Sequence, residues 1–432
     1  MSQDLPASPP ASGDLLARRR RALGAAYRLF YDEPVHPVRG EDVWLEDAQG
    51  KRYLDAYNNV PVVGHAHPAV VEALARQAAV LNTHTRYLHE GVVEYAERLL
   101  ALFPAGLDNA MFTCTGSEAN DLALRVAIEA TGRTGFIVTR NAYHGVTRSL
   151  ADMSPSLRPV ASHVRTVPPP DSYRGDPAMA ASRFAEAVQA AADELAQAGT
   201  PAAALMVDTV FASDGIHTES NQALALAAAA IRQRGGLFIA DEVQGGLARA
   251  GRTWWAFQRD GVLPDMVSLG KPMGNGHPIG ALVLRSDLVD EFGRKCRYFN
   301  TFGGNTVSAA VGLAVLDALQ AMDAPNRVAE VGAYLEAGLR RLAAAHPIIG
   351  DVRGRGLYWG VELVDAHRPA EPAPAPAVAA ALVNGLRHAG VLIGASGPQA
   401  NVLKIRPPLT FQKAHADLLL QALEQQCAAA RS

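Results

Sequence analysis

Three continuous apolar runs constrain this chain more than anything else in it: "AALMVD" (Ala203 to Asp208), "GLFIADE" (Gly236 to Glu242) and "DMVSL" (Asp265 to Leu269). A strand with one wet face alternates apolar and polar residues. Runs without alternation need cover on both faces, the condition of a parallel sheet between helical layers. Upstream, "AMFTC" (Ala110 to Cys114) and "GFIVT" (Gly135 to Thr139) read as strands flanking "SEANDLALRVAIEATG", a helix with Leu122 and Val126 four apart and Gly132 as its stop. The expected fold class is therefore α/β, a large domain whose mostly parallel sheet is flanked by helices.

At 432 residues and 49% hydrophobic, with a formal net charge of -3, the chain is long enough for more than one core. This balance does not call for nucleic acid. The apolar run Ala223 to Ile231 is a buried helix, far short of the roughly 18 to 20 residues that span a bilayer. Met1 to Gly13 is Pro/Ser/Ala-rich and expected to be disordered, and Arg18 to Arg21 form a solvated helix face. With no apolar secretory segment in the sequence, a cytoplasmic enzyme is expected. Cys114, Cys296 and Cys427 lack metal or CxxC spacing, so neither a disulfide nor a metal site is expected.

"VWLEDAQGKRYLD" suggests a hairpin about Gln49-Gly50. "LYWGVEL" and "NVLKIRPPL" read as strands of one small α+β unit, joined across a flexible surface segment around Pro369 to Val378. The expected division is 1–13 disordered, 14–59 an N-terminal part of the small domain, 60–307 the large domain and 308–432 the C-terminal small domain.

In an open parallel sheet, ligands bind at the carboxyl ends of the strands. There this chain places Thr115, Gly116 and Ser117 at a helix start, Tyr143 and His144 in a turn, Asp241 with Glu242, and Lys271. The helix start offers free N–H groups and a dipole to a phosphate. Lys271 is the one formal charge in "MVSLGKPMGNGHPIG". Desolvation there can strip its proton and let it form a Schiff base with an aldehyde. Pyridoxal phosphate has that aldehyde, a phosphate, a ring on which Tyr143 can stack and a pyridine nitrogen for Asp241. A dinucleotide loop is the rival reading of "GNGHPIG", but its spacing is GxGxxxG, Pro278 interrupts it and it leads into a strand. "GRGLYWG" fails in the same way.

The chain resembles the class III aminotransferases of the type I pyridoxal phosphate fold, from about Leu29 to Leu423. The resemblance is carried by "YNNVPVVGHAHPAVVEAL", "TGSEANDLALRVA", "NAYHG", "FIADEVQGGLARAG", "PDMVSLGKPMGNGHPIGA", "FNTFGGN" and "RGRGLYWGVEL". It implies Lys271 as Schiff-base lysine and proton shuttle, Asp241 on the pyridine nitrogen, Tyr143 on the ring, and Gly116 and Ser117 on the phosphate. It further implies Val243 behind the ring, Gln244 on the phenolic oxygen, and Thr301 reaching the phosphate of a neighbouring subunit, hence a homodimer with shared sites. His65, His67 and His144 are assigned to shaping the pocket or capping turns, since the lysine already serves as base.

Some positions depart from the family pattern. Where many relatives have "EPxQGE", this chain has "DTVFAS", with Ser213 in place of a gating glutamate. Lys404 stands where ornithine-type relatives have an arginine, Arg406 precedes Pro407, and Thr306 replaces a usual proline. These departures look closest to the branch holding phospholyases of phosphoethanolamine and phosphohydroxylysine, together with alanine-glyoxylate-type transaminases. The activity expected first is amino transfer between a small amine or amino acid and a 2-oxo acid; the alternative is elimination of ammonia and phosphate from O-phosphoethanolamine or a related phosphorylated or phosphonylated amino alcohol. A B6-binding protein without turnover is disfavoured by the intact lysine, aspartate and tyrosine. Arg86, Arg249, Lys404 and Arg406 are the cations considered for a substrate phosphate.

Overall fold

The computed structural model describes residues 12–219, 222–366 and 373–430. Residues 1–11 of the expected disordered terminus lie outside that range, but the chain is already helical from Ser12 (Ser12–Leu23). The expected surface segment falls partly on undescribed residues 367–372. Beyond them the chain bridges Pro374 to Val364 and becomes helical at Pro376, so the segment ends earlier than Val378. Proline fits there because the first helical turn needs no N–H from it.

The central sheet has seven strands, ordered Asn109–Thr113, Gly280–Leu284, Met266–Leu269, Leu237–Asp241, Ala202–Asp208, Gly135–Thr139 and Val164–Val167. Gly280–Leu284 is antiparallel to both its neighbours, and the other pairings are parallel. The carboxyl ends of the six co-directional strands therefore share one edge. Register aligns them further: Asp208 lies opposite Asp241, and Asp241 opposite Ser268.

Both sheet faces are covered, which explains the missing alternation. Ile239, Leu282 and Leu284 pack with Leu122 and Val126 of the helix Gly116–Thr131. Their neighbours Phe238, Ala240, Ala281 and Val283 face the opposite core, shared with Phe184 and Leu224 of the helices Ala180–Gln197 and Ala223–Gln233. Each large apolar side chain so buried contributes about 1.5–3 kcal/mol.

Two four-stranded sheets complete the fold. The expected hairpin is formed by Trp44–Asp47 and Arg52–Asp55, and Val391–Leu392 adds to it in parallel. Its turn is held by Asp47, whose Oδ1 accepts from the N–H groups of Gln49 and Lys51, while Gly50 takes φ +80°. The second sheet, Ile349–Arg355, Tyr358–Leu363, Val402–Ile405 and Gly394–Ser396, pairs "LYWGVEL" with "NVLKIRPPL" as expected. It brings Lys404 and Arg406 toward the strand ends of the central sheet. Among the described residues no single helix is long and apolar enough to cross a membrane.

Candidate active site

The shared edge holds a cavity of about 280 Å³ lined by Gly116, Ser117, Asn120, Tyr143, His144, Asp241, Val243, Gln244, Gly270 and Lys271, among others. A larger hollow of about 1130 Å³ lies beside the N-terminal helix and the hairpin, and takes no residue from the strand ends.

One side of the cavity is a helix start. Thr115 caps the helix Gly116–Thr131 in a reciprocal box: its hydroxyl accepts from Glu118 N–H, and the Glu118 carboxylate accepts from Cys114 and Thr115 N–H. This leaves the N–H groups of Gly116 and Ser117 without an acceptor among the described residues. They sit at the positive end of the helix dipole, a ready anion site. Packing there is tight: a Cβ on Gly116 would meet Val243 Cγ2 at 2.7 Å, and one on Gly270 would meet Gly116 Cα at 3.0 Å. Gly116→Ala is thus expected to weaken cofactor affinity about tenfold or more through overpacking. The dissociation constant by equilibrium titration checks this, and an unchanged constant would mean that the floor gives way.

Asp241 ends its strand 4% exposed, with both oxygens hydrogen-bonded and accepting capacity left on Oδ1. Oδ2 accepts from His144 Nδ1 at 2.7 Å and from Asn120 Nδ2 at 2.9 Å, and Oδ1 accepts from Val243 N–H at 3.1 Å. Glu242 turns away and serves the fold. Its carboxylate accepts from Ala256 and Phe257 N–H, and burial pushes its pKa up to about 7. Of two adjacent carboxylates, only Asp241 lines the cavity.

Lys271 lines the same cavity and has no hydrogen bond within the described chain. Burial, then the Arg406 charge, push its amine below the ordinary lysine range, against the pull of Asp241 and Asp208. Tested against pyridoxal phosphate, the residues fit: free N–H donors for the phosphate, an anchored carboxylate for the ring nitrogen, and an amine inclined to neutrality.

The cations expected for a substrate phosphate divide. Lys404 lies opposite Gly360 on one neighbouring strand and Gly394 on the other, so no side chain stands directly beside it in the sheet. Its amine makes no hydrogen bond among the described residues. Burial and Arg406 push its amine far below the usual lysine range, against Asp208. Arg406 donates from Nη1 to Asn59 Oδ1 at 2.8 Å and Gln244 Oε1 at 2.6 Å, and lies 4.5 Å over the Tyr57 ring. Arg249 is fully buried and donates to the Leu357 and Pro407 carbonyls, so it serves the fold. Arg86 is exposed, 3.7 Å over Phe299, and lines a separate groove. Thr301 is also exposed and outside the cavity of its own chain. His65 bonds Asp55 at 2.8 Å, and His67 precedes a helix without a side-chain cap.

Sequence reasoning missed Asn120, Asp208 and Tyr358. Asn120 had a signal, a polar residue on the apolar face of its helix, 1% exposed in the structure. Tyr358 and Asp208 meet at Gln244 only through the tertiary fold.

A family model for class-III aminotransferases matches residues 30–427. The chain is 35% identical over 435 residues to ethanolamine-phosphate phospho-lyase homolog 1 of Caenorhabditis elegans, covering 95% of this chain and 92% of that one. It is 37% identical to a mitochondrial alanine–glyoxylate aminotransferase 2 homolog of Arabidopsis thaliana, covering 97% and 88%. A phospholyase from Arthrobacter, solved in complex with phosphoethanolamine, superposes with a TM-score of 0.93 at 44% identity, covering 96% of this chain and all of that one.

Proposed function

The chain belongs to the class III aminotransferase family, with the type I fold and pyridoxal phosphate as its cofactor, and from that premise we propose that it releases phosphate and ammonia from a small phosphorylated amine such as O-phosphoethanolamine. One observation carries the choice: Lys404, buried, without a hydrogen-bond partner and close enough to Lys271 for their charges to act on each other. A dianionic group would restore the ammonium that burial and Arg406 disfavour. The likeness to a phospholyase at 44% identity supports the same reading.

Bound pyridoxal phosphate supplies an electron sink for the carbon next to the amine. Gly116 and Ser117 would hold its phosphate, Tyr143 and Val243 would cover its ring, Gln244 would donate to its phenolic oxygen, and Asp241 would keep a proton on its ring nitrogen. Lys271 takes up at Nζ the proton from the amine-bearing carbon, a transfer prepared by burial that disfavours its ammonium. Lys404 grips the phosphate on the next carbon. That C–O bond breaks with its electron pair leaving on phosphate, and one water then balances aldehyde, ammonia and phosphate as products.

Thr301 and Arg86 serve the site of a second copy. The exposed apolar side chains around them, Leu88 at 100% and Phe302 at 69%, suit such a homodimer contact. A second reading, amino transfer to a 2-oxo acid, is favoured by 37% identity to the alanine–glyoxylate aminotransferase 2 homolog. It uses the same proton removal, followed by reprotonation at a different atom because the next carbon carries no leaving group.

Lys404→Met separates the substrates. It is expected to raise KM for O-phosphoethanolamine about 10- to 100-fold, the worth of a charged hydrogen bond, with little change for an amine lacking phosphate. Equal effects on both amines would contradict the phosphate grip.

A further inference from the structure

Gln244 is held by three partners that come from 36, 114 and 162 residues away in the chain. Its Oε1 accepts from Arg406 Nη1 at 2.6 Å and from the Tyr358 hydroxyl at 3.1 Å, while its Nε2 donates to Asp208 Oδ2 at 3.4 Å. We infer that Asp208, Tyr358 and Arg406 form a clamp that fixes the Gln244 amide in one orientation, with its remaining N–H available to the ring oxygen of the cofactor. This rests on the pyridoxal phosphate assignment and is independent of which substrate the enzyme takes.

The donor count supports it. A carboxamide oxygen has two lone pairs and its nitrogen two hydrogens. Here two donors fill the oxygen and Asp208 takes one hydrogen, which leaves one N–H for the cavity that Gln244 lines. Turning the amide over would set its NH₂ against a guanidinium and a hydroxyl, and its oxygen against a carboxylate. Gln244 is 8% exposed, so each mismatch would be buried.

The clamp members are themselves fixed. Asp208 Oδ1 accepts from Val210 N–H at 3.0 Å, and Oδ2 from Ala212 N–H at 3.1 Å. Burial and the nearby Asp241 push the Asp208 carboxyl upward, opposed by the Val210 N–H, His144 and Lys404. Tyr358 is fully buried. Arg406 is anchored on Asn59 and Tyr57. Its Nη1 is committed to the clamp, while its Nε is buried without a hydrogen-bond partner among the described residues. Asp208, Tyr358 and Arg406 Nη1 are positioning groups acting through Gln244.

A donor at the ring oxygen favours the deprotonated form of the bound cofactor. The test is a pH titration of the visible absorption of the holoenzyme without substrate. Tyr358→Phe is expected to raise the midpoint of the colour change by about half to one pH unit. Gln244→Ala should raise it at least as far, and the double variant no further than Gln244→Ala alone, because the tyrosine acts only through the glutamine. Tyr53→Phe deletes another buried hydroxyl bond, to Asp47 in the hairpin, and should lower Tm without moving the midpoint. A Tyr358→Phe midpoint within about 0.2 unit of wild type, or full additivity in the double variant, overturns the clamp. If Tyr358→Phe fails to fold, Arg406→Lys keeps the charge and shortens the reach. The same upward shift is expected there, and its absence overturns the inference.

Discussion

Lys271→Ala should lower turnover by about 10⁴-fold or more, since it removes both the covalent attachment and the base that moves the proton. Borohydride should fix the cofactor to the wild-type chain and leave the variant unlabelled, as read by the intact mass. The variant should still bind cofactor, because the Gly116 and Ser117 N–H groups and the Asp241 carboxylate do not depend on the lysine. A borohydride-stable adduct in the variant would move the attachment to another amine. The physical basis is location: Lys271 follows a buried strand and Gly270, in a cavity where burial works against its ammonium.

Asp241→Asn is the second large effect, an expected loss of about 10²- to 10³-fold in kcat, the scale of removing one preorganised electrostatic contact. Three donors converge on the Asp241 oxygens, from His144, Asn120 and Val243. An asparagine would either turn its NH₂ toward those donors or present an amide to the ring nitrogen without a negative charge. Neither keeps a proton on that nitrogen. Turnover within a few-fold of wild type would remove Asp241 from this role. Glu242→Gln is the control, for its carboxylate caps the turn at Ala256 and Phe257 and lines no part of the cavity.

The strands and their polar ends were legible because continuous apolar runs and helix stops are local signals. Lys271 was legible for the same reason, as a lone charge between an apolar run and glycines. Asp241 was assigned to the ring nitrogen from the sequence, but the physical reason that it rather than Glu242 fits is not local. They are neighbours in sequence, and only the fold shows one facing His144 and Asn120 and the other capping a turn fourteen residues later. Asn120 was hidden inside a helix read for its apolar spacing. The clamp on Gln244 was beyond reach, since its members lie on separate elements and nothing in the sequence joins Asp208, Tyr358 and Arg406 to one another. Arg249 shows the converse: an arginine in a family motif that reads as a ligand candidate is spent on backbone carbonyls. Thr301 and Arg86 sit on exposed surface, where a single chain shows no site for them to serve.

The most direct measurement is product release from O-phosphoethanolamine by the purified holoenzyme with no oxo acid present. Ammonia and inorganic phosphate appearing together, in equal amounts and over many turnovers per site, is the result expected of a phospho-lyase. No phosphate, with colour that bleaches once on adding an amine and returns on adding an oxo acid, would contradict it and make the enzyme a transaminase.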